Sequence, residues 1–125
     1  MLFRSVPKYR DTAYLSRHLL RWQPEAIVNL PEGLGVLPFL VPGSAELMGA
    51  TVTALEHHRV VVWAKHGAVA RSDHSVKHAV DRIEYAETIA SYEYLNLVNH
   101  EQADGLSVEE ILSICALFDI KQSVY

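Results

Sequence analysis

The sequence predicts a layered α/β fold in which helices pack on a small sheet. Three observations point there. Apolar residues recur every three or four positions in several segments, and most of those segments open on a capping residue. Between them lie short β-branched and apolar runs bounded by proline and glycine. Half of the 125 residues are hydrophobic and 21% are charged, enough for one domain to build a core without covalent staples.

The elements follow in order. From Asp11 to Trp22 the residues Ala13, Tyr14, Leu15, His18, Leu19 and Trp22 fall at mostly helical spacing, with Asp11 as N-cap and Pro24 as the stop. Glu25 to Leu30 is a short strand-like run, halted by Pro31 and Gly33. Gly33 to Gly43 mixes prolines and glycines with apolar residues, which suits a bending strand or a buried loop. Ser44 caps a helix to about Glu56, whose apolar surface is Leu47, Met48, Ala50, Val52, Ala54 and Leu55. Arg59 to Ala64 is apolar on both faces and reads as a central strand. It ends in a turn at Lys65-His66-Gly67, and Ala68 to Ala70 forms a shorter strand.

The longest helix is predicted from about His74 to Asn99. Its buried stripe is Val76, Ala79, Val80, Ile83, Ala86, Ala90, Tyr94 and Leu97. A last helix starts at Ser107, where Ser107 and Glu110 make a capping box, and buries Val108, Ile111, Leu112, Cys115 and Leu117.

Composition removes several function classes. A net charge of -4 opposes a nucleic-acid footprint or a polybasic membrane patch. Cys115 is the only cysteine, so neither a disulfide framework nor a cysteine-rich zinc site is available. The apolar stretches are too short to span a bilayer, and Met1 to Ser5 has no signal-peptide character. The expected setting is cytoplasmic and reducing. Nucleophile elbow, Walker loop, dinucleotide fingerprint and Cys-x-x-Cys motifs are absent from the sequence.

Seven histidines stand out. His66 sits at a strand end, where a scaffold can hold an imidazole for a borderline divalent metal. The local pattern equally suits a histidine bonded to a backbone carbonyl. His74 and His78 share one helical face and could bind metal with a third ligand, near Asp73 and Asp81, or be exposed polar residues. His57 and His58 suit a helix C-terminus. His18 and His100 read as surface or half-buried residues. Glu25, at the mouth of the expected strand, would be partly desolvated and fit for proton transfer, or else an ordinary exposed carboxylate. Glu84 and Glu87 read as solvated-face or interface charges.

The run from Glu25 through Asn29-Leu-Pro-Glu-Gly-Leu-Gly-Val-Leu-Pro-Phe-Leu-Val-Pro-Gly-Ser44, then a helix, then Val60-Val-Val-Trp-Ala-Lys-His66-Gly67, resembles the class II aldolase/adducin family. The long helix with Ala86-Glu87 and the capped last helix fit the same pattern. The likeness runs from about Tyr9 onward and is strongest to the branch acting on rhamnulose 1-phosphate. It implies a layered α/β fold with a mixed, mostly antiparallel sheet and flanking helices, of which residues 1–125 form a single partial domain, the C-terminal half. It also implies that His66 is the third of three histidines on a catalytic Zn2+ or another divalent metal. In the family that metal polarises a ketose 1-phosphate and stabilises the enediolate as a C–C bond breaks, giving dihydroxyacetone phosphate and an aldehyde. Glu25 falls on a glutamate with acid–base work, and a homo-oligomer, a tetramer in the family, is implied.

The same resemblance places the other two metal ligands in a His-x-His pair upstream of Met1, so the expected zinc site is incomplete. An upstream acidic residue and the phosphate-binding loops are likewise expected outside the chain. The expectation is therefore a piece of a zinc-dependent aldolase, inefficient alone, with an N-terminal half missing. Two other functions compete: a non-catalytic, adducin-like assembly or binding module, and a small metal-binding protein using His74 and His78.

Overall fold

The computed structural model describes residues 7–100 and 103–125, so the opening Met1 to Ser5 segment lies outside the described residues. A 3-10 turn at Pro7–Arg10 leads into helix α1, Thr12–Leu19. Asp11 caps it, its Oδ1 accepting the Tyr14 N–H at 2.7 Å. A second 3-10 turn, Leu20–Trp22, carries the chain to Gln23, whose extended backbone ends the run.

Glu25 to Leu30 is not a strand. Helix α2 spans Pro24–Asn29, with proline in its first turn, where a missing N–H costs nothing. Ala26, Ile27 and Leu30 are fully buried, a spacing that fits one helical face. Three apolar residues in a row match both periods, and tertiary packing decides between them.

Strand β1 is Gly35–Leu37, helix α3 is Ala45–His57, and strands β2 and β3 are Val60–Trp63 and Gly67–Ala70. Ser44 caps α3, accepting the Leu47 N–H at 3.1 Å. The sheet order is β1-β2-β3. β1 and β2 run parallel, with Val36 opposite Val62, so α3 serves as the crossover. β2 and β3 pair antiparallel, with Val61 opposite Val69. Val60, Val61 and Val62 are buried, as a central strand requires.

The predicted layered α/β fold, with flanking helices on a mixed, mostly antiparallel sheet, is thereby corrected. The fold is predominantly helical, with a three-stranded mixed sheet of three, four and four residues. The loss of residues 25–30 from the strand set and the brevity of β1 leave one parallel and one antiparallel pair.

Helices α4, Val76–Asn99, and α5, Val108–Phe118, complete the chain. The buried stripe of α4 is Arg82, Ala86, Ile89, Ala90 and Glu93, rotated from the expected one. Val76, Val80, Tyr94 and Leu97 are exposed. α5 buries Ile111 and Cys115 but exposes Val108, Leu112 and Leu117, and α3 buries Leu47 while Met48 and Val52 are exposed. These side chains have no described element packed over them. Hydropathy alone cannot distinguish an apolar residue covered by this core from one left bare.

The capping box at α5 forms as read. Ser107 Oγ accepts the Glu110 N–H at 3.2 Å and Glu110 Oε2 accepts the Ser107 N–H at 2.8 Å. Ser107→Ala is expected to cost about 1 kcal/mol in urea unfolding. An unchanged midpoint would show that packing of Ile111 and Cys115 alone holds the helix.

Candidate functional site

The C-terminal end of β2 carries the most constrained of the predicted site residues. The Ala64 N–H donates to Leu37 O at 3.0 Å, prolonging the β1–β2 ladder by one residue. Lys65 then adopts a left-handed backbone, φ 63°, and the His66 N–H donates to Trp63 O at 3.0 Å. A left-handed residue other than glycine costs about 1–2 kcal/mol. The pairing of Trp63 with Gly67 across the turn holds it there.

His66 is exposed, and its ring stacks on Trp63, with centroids 5.0 Å apart and planes 27° apart. The Trp63 Nε1–H donates to Thr51 Oγ1 at 3.1 Å, and that hydroxyl donates to Leu47 O at 2.6 Å. A chain of contacts from α3 thus fixes the surface against which the imidazole rests. The result is an oriented imidazole at the end of a central strand.

Glu25 is placed differently from the expected strand mouth. It lies exposed in the first turn of α2, where its backbone carbonyl accepts Asn29 Nδ2–H at 2.8 Å. Neither Glu25 nor His66 lines the four cavities described, and none of those four brings the two together. Among the described residues no group of three or more His, Cys, Asp or Glu side chains could hold a metal ion. A catalytic zinc takes three protein ligands, so His66 by itself does not fit that centre.

The other candidates separate. His74 and His78 approach each other, with ring centroids 5.2 Å apart. Asp81 pairs with Lys77 at 3.0 Å, and Asp73 with Arg71 at 3.3 Å. His57 ends α3, and His58 caps it with its ring against Gly35. His18 stacks on Tyr14 at 3.8 Å, its Nδ1 lying 2.9 Å from Tyr14 O. His100 is the exposed, left-handed cap of α4. Glu84 is exposed and Glu87 half-buried on α4.

Two buried charges escaped the sequence reading. Glu93 is 6% exposed and accepts the Tyr9 hydroxyl at Oε1 and the Trp22 Nε1–H, at 2.9 Å, at Oε2. Burial first, and then the Glu93 carboxylate, holds the Tyr9 phenol well above its ordinary range. Glu93 and Trp22, though not Tyr9, border a cavity of about 460 Å³ that Tyr14, His18, Arg21 and His100 also line. Arg82 is 5% exposed and donates from Nη1 to Arg71 O. Burial first, then the neighbouring Arg59, lowers its pKa. Spacing gave no sign of either residue, because a charged side chain on a helix reads as solvated until its partners are known.

No helix among the described residues is long and apolar enough to cross a membrane. A segment of 57 residues is 40% identical to rhamnulose-1-phosphate aldolase from several Escherichia coli strains, covering 46% of this chain and 21% of the aldolase. Among solved structures, the sugar-phosphate aldolase of Thermotoga maritima superposes with a TM-score of 0.71 at 29% identity, over 82% of this chain and 42% of that one. YgbL of Klebsiella pneumoniae shares the fold at 18% identity, with a TM-score of 0.66 over 77% of this chain and 44% of its own. The chain therefore spans less than half the length of the relatives it matches. Residues 12–94, about two-thirds of the sequence, match the model of the Class II Aldolase and Adducin N-terminal domain, and the chain belongs to that family.

Proposed function

We propose that this chain is part of a metal-dependent class II aldolase acting on a phosphorylated ketose, with His66 at a metal-ligand position and Glu25 in acid–base work. The observation that carries this reading is the placement of His66, oriented by Trp63 at the end of the central strand. The likeness to a sugar-phosphate aldolase and to rhamnulose-1-phosphate aldolase supports the substrate class. The reaction class is cleavage of a ketose 1-phosphate to dihydroxyacetone phosphate and an aldehyde. Because one imidazole does not make the zinc centre, further ligands must come from outside the described residues. Exposed Tyr92, Leu95 and Val98 on α4, with Leu112 and Phe118 on α5, support an assembly that brings such groups together.

The test is retro-aldol cleavage of rhamnulose 1-phosphate, read by dihydroxyacetone phosphate release. The chain alone is expected to show no turnover above the blank. Adding a companion segment that carries a His-x-His pair and phosphate-binding loops should restore it, and His66→Ala should abolish that gain. Efficient turnover by the chain alone, or restored turnover indifferent to His66→Ala, would overturn the proposal. The exposed apolar side chains also favour a second reading, an adducin-like assembly module. In that case the companion segment binds, no turnover follows, and His66→Ala leaves association unchanged.

A further inference from the structure

We infer that Ser72, His74 and His78, at the head of α4, form a two-histidine site for a borderline divalent cation, separate from His66. His74 precedes the N-cap Ser75 and His78 lies in the first turn, so the two imidazoles stand four positions apart on one side of the helix start. Their ring centroids are 5.2 Å apart with planes tilted by 50°. Two imidazoles sharing one zinc, each with Zn–N of about 2.0–2.1 Å, have centroids roughly 5 Å apart at a tetrahedral angle.

Ser72 supports both ligands. Its Oγ accepts the His74 backbone N–H at 3.1 Å and lies 3.0 Å from His78 Nδ1. One hydroxyl therefore fixes the backbone of the first ligand and the ring of the second. In the tautomer whose Nδ1–H donates to Ser72 Oγ, the one the proposal requires, His78 presents Nε2 to the cation, the outer-shell arrangement that orients metal-bound histidines. His74 is exposed and His78 half-buried, so the cation enters from solvent and water completes its coordination.

The nearby carboxylates do not add a third ligand. Asp73 is engaged by Arg71 and Asp81 by Lys77. Two protein ligands, set at the positive end of a helix dipole, hold the cation more weakly than a three- or four-ligand centre. Imidazole donors select zinc, copper and nickel over magnesium and calcium.

Calorimetric titration of the tag-free chain with Zn2+ tests the site, with Mg2+ as control. One equivalent of Zn2+ per chain is expected to bind and Mg2+ none. His74→Asn and His78→Asn should each weaken zinc at least tenfold, and Ser72→Ala several-fold. His66→Asn should leave this equivalent in place. The ring nitrogens of His78, followed by NMR, should show Nε2 as the metallated atom, a signature that a surface role in folding would not produce. Zinc uptake that survives the His74→Asn/His78→Asn double variant, or that vanishes in His66→Asn, would overturn the inference. So would a chain that takes up no zinc at millimolar concentration. Loss of aldolase function in the companion-segment assay leaves it standing, since the two sites share no residue.

Discussion

Gly33→Ala is expected to destabilise the chain by about 3–5 kcal/mol, from left-handed backbone strain and steric overlap together. Gly33 has φ +82°, a conformation that penalises a side chain wherever it stands. A Cβ there would also come within 2.4 Å of Ser16 Oγ and 2.8 Å of Ser16 Cβ. Ser16 has no room to retreat. It is buried in α1, and its hydroxyl accepts the Leu34 N–H at 2.9 Å, pinning the start of β1 to the helix. Pushing it aside strands a buried backbone donor as well. Typical domains are stable by about 5–15 kcal/mol, so the variant gives up a large share of that margin and should unfold at a markedly lower urea concentration. The urea midpoint measures this directly, and a loss below about 1 kcal/mol would show that the turn re-forms without the left-handed glycine.

The second large effect belongs to Glu93. Removing its carboxylate in Glu93→Ala leaves the Tyr9 hydroxyl and the Trp22 Nε1–H without an acceptor, for an expected cost of about 2–4 kcal/mol. Glu93→Gln keeps one acceptor oxygen but turns an amide donor toward the other partner, so about half of that loss is expected. Equal stability of Glu93→Gln and Glu93→Ala would show that charge, and not acceptor geometry, holds the three groups together. Two phenols, Tyr9 in this network and Tyr125 outside it, set an alkaline limit. Folding raises the Tyr9 phenol above 10.0 through burial and then through Glu93, and burial pushes Tyr125 up to about 12. The folded chain binds these protons more tightly than the unfolded one. Both contributions are complete below pH 10; that of Tyr125 is lost as pH rises through about 12, and that of Tyr9 at still higher pH.

Local signals carried most of the legible fold. The caps at Asp11, Ser44 and Ser107 rest on hydrogen bonds spanning three residues, so the sequence displays both donor and acceptor in one short window. The all-apolar run at Val60 to Trp63 announced a central strand, which it is. What depended on distant partners was not legible. Glu93 lies 84 residues from Tyr9 and 71 from Trp22, and nothing near it in sequence says that its carboxylate is buried. The same blindness rotated the expected face of α4, whose core side includes Arg82 and Glu93 in place of Val80 and Tyr94. For the candidate site, the strand-end position of His66 was readable from the glycine turn that follows it. The helical setting of Glu25 was not, because Ala26-Ile27-Val28 satisfies either period.

The stack of His66 on Trp63 has an optical consequence. An indole stacked on an imidazole changes its emission when that ring gains a proton or a cation, so the turn after β2 carries its own fluorophore. The chain has two tryptophans, and the other, Trp22, sits against Glu93. With Trp22 replaced by phenylalanine, the remaining tryptophan emission, excited apart from the six tyrosines, comes from the His66 turn alone, and occupancy there becomes readable in solution without a label.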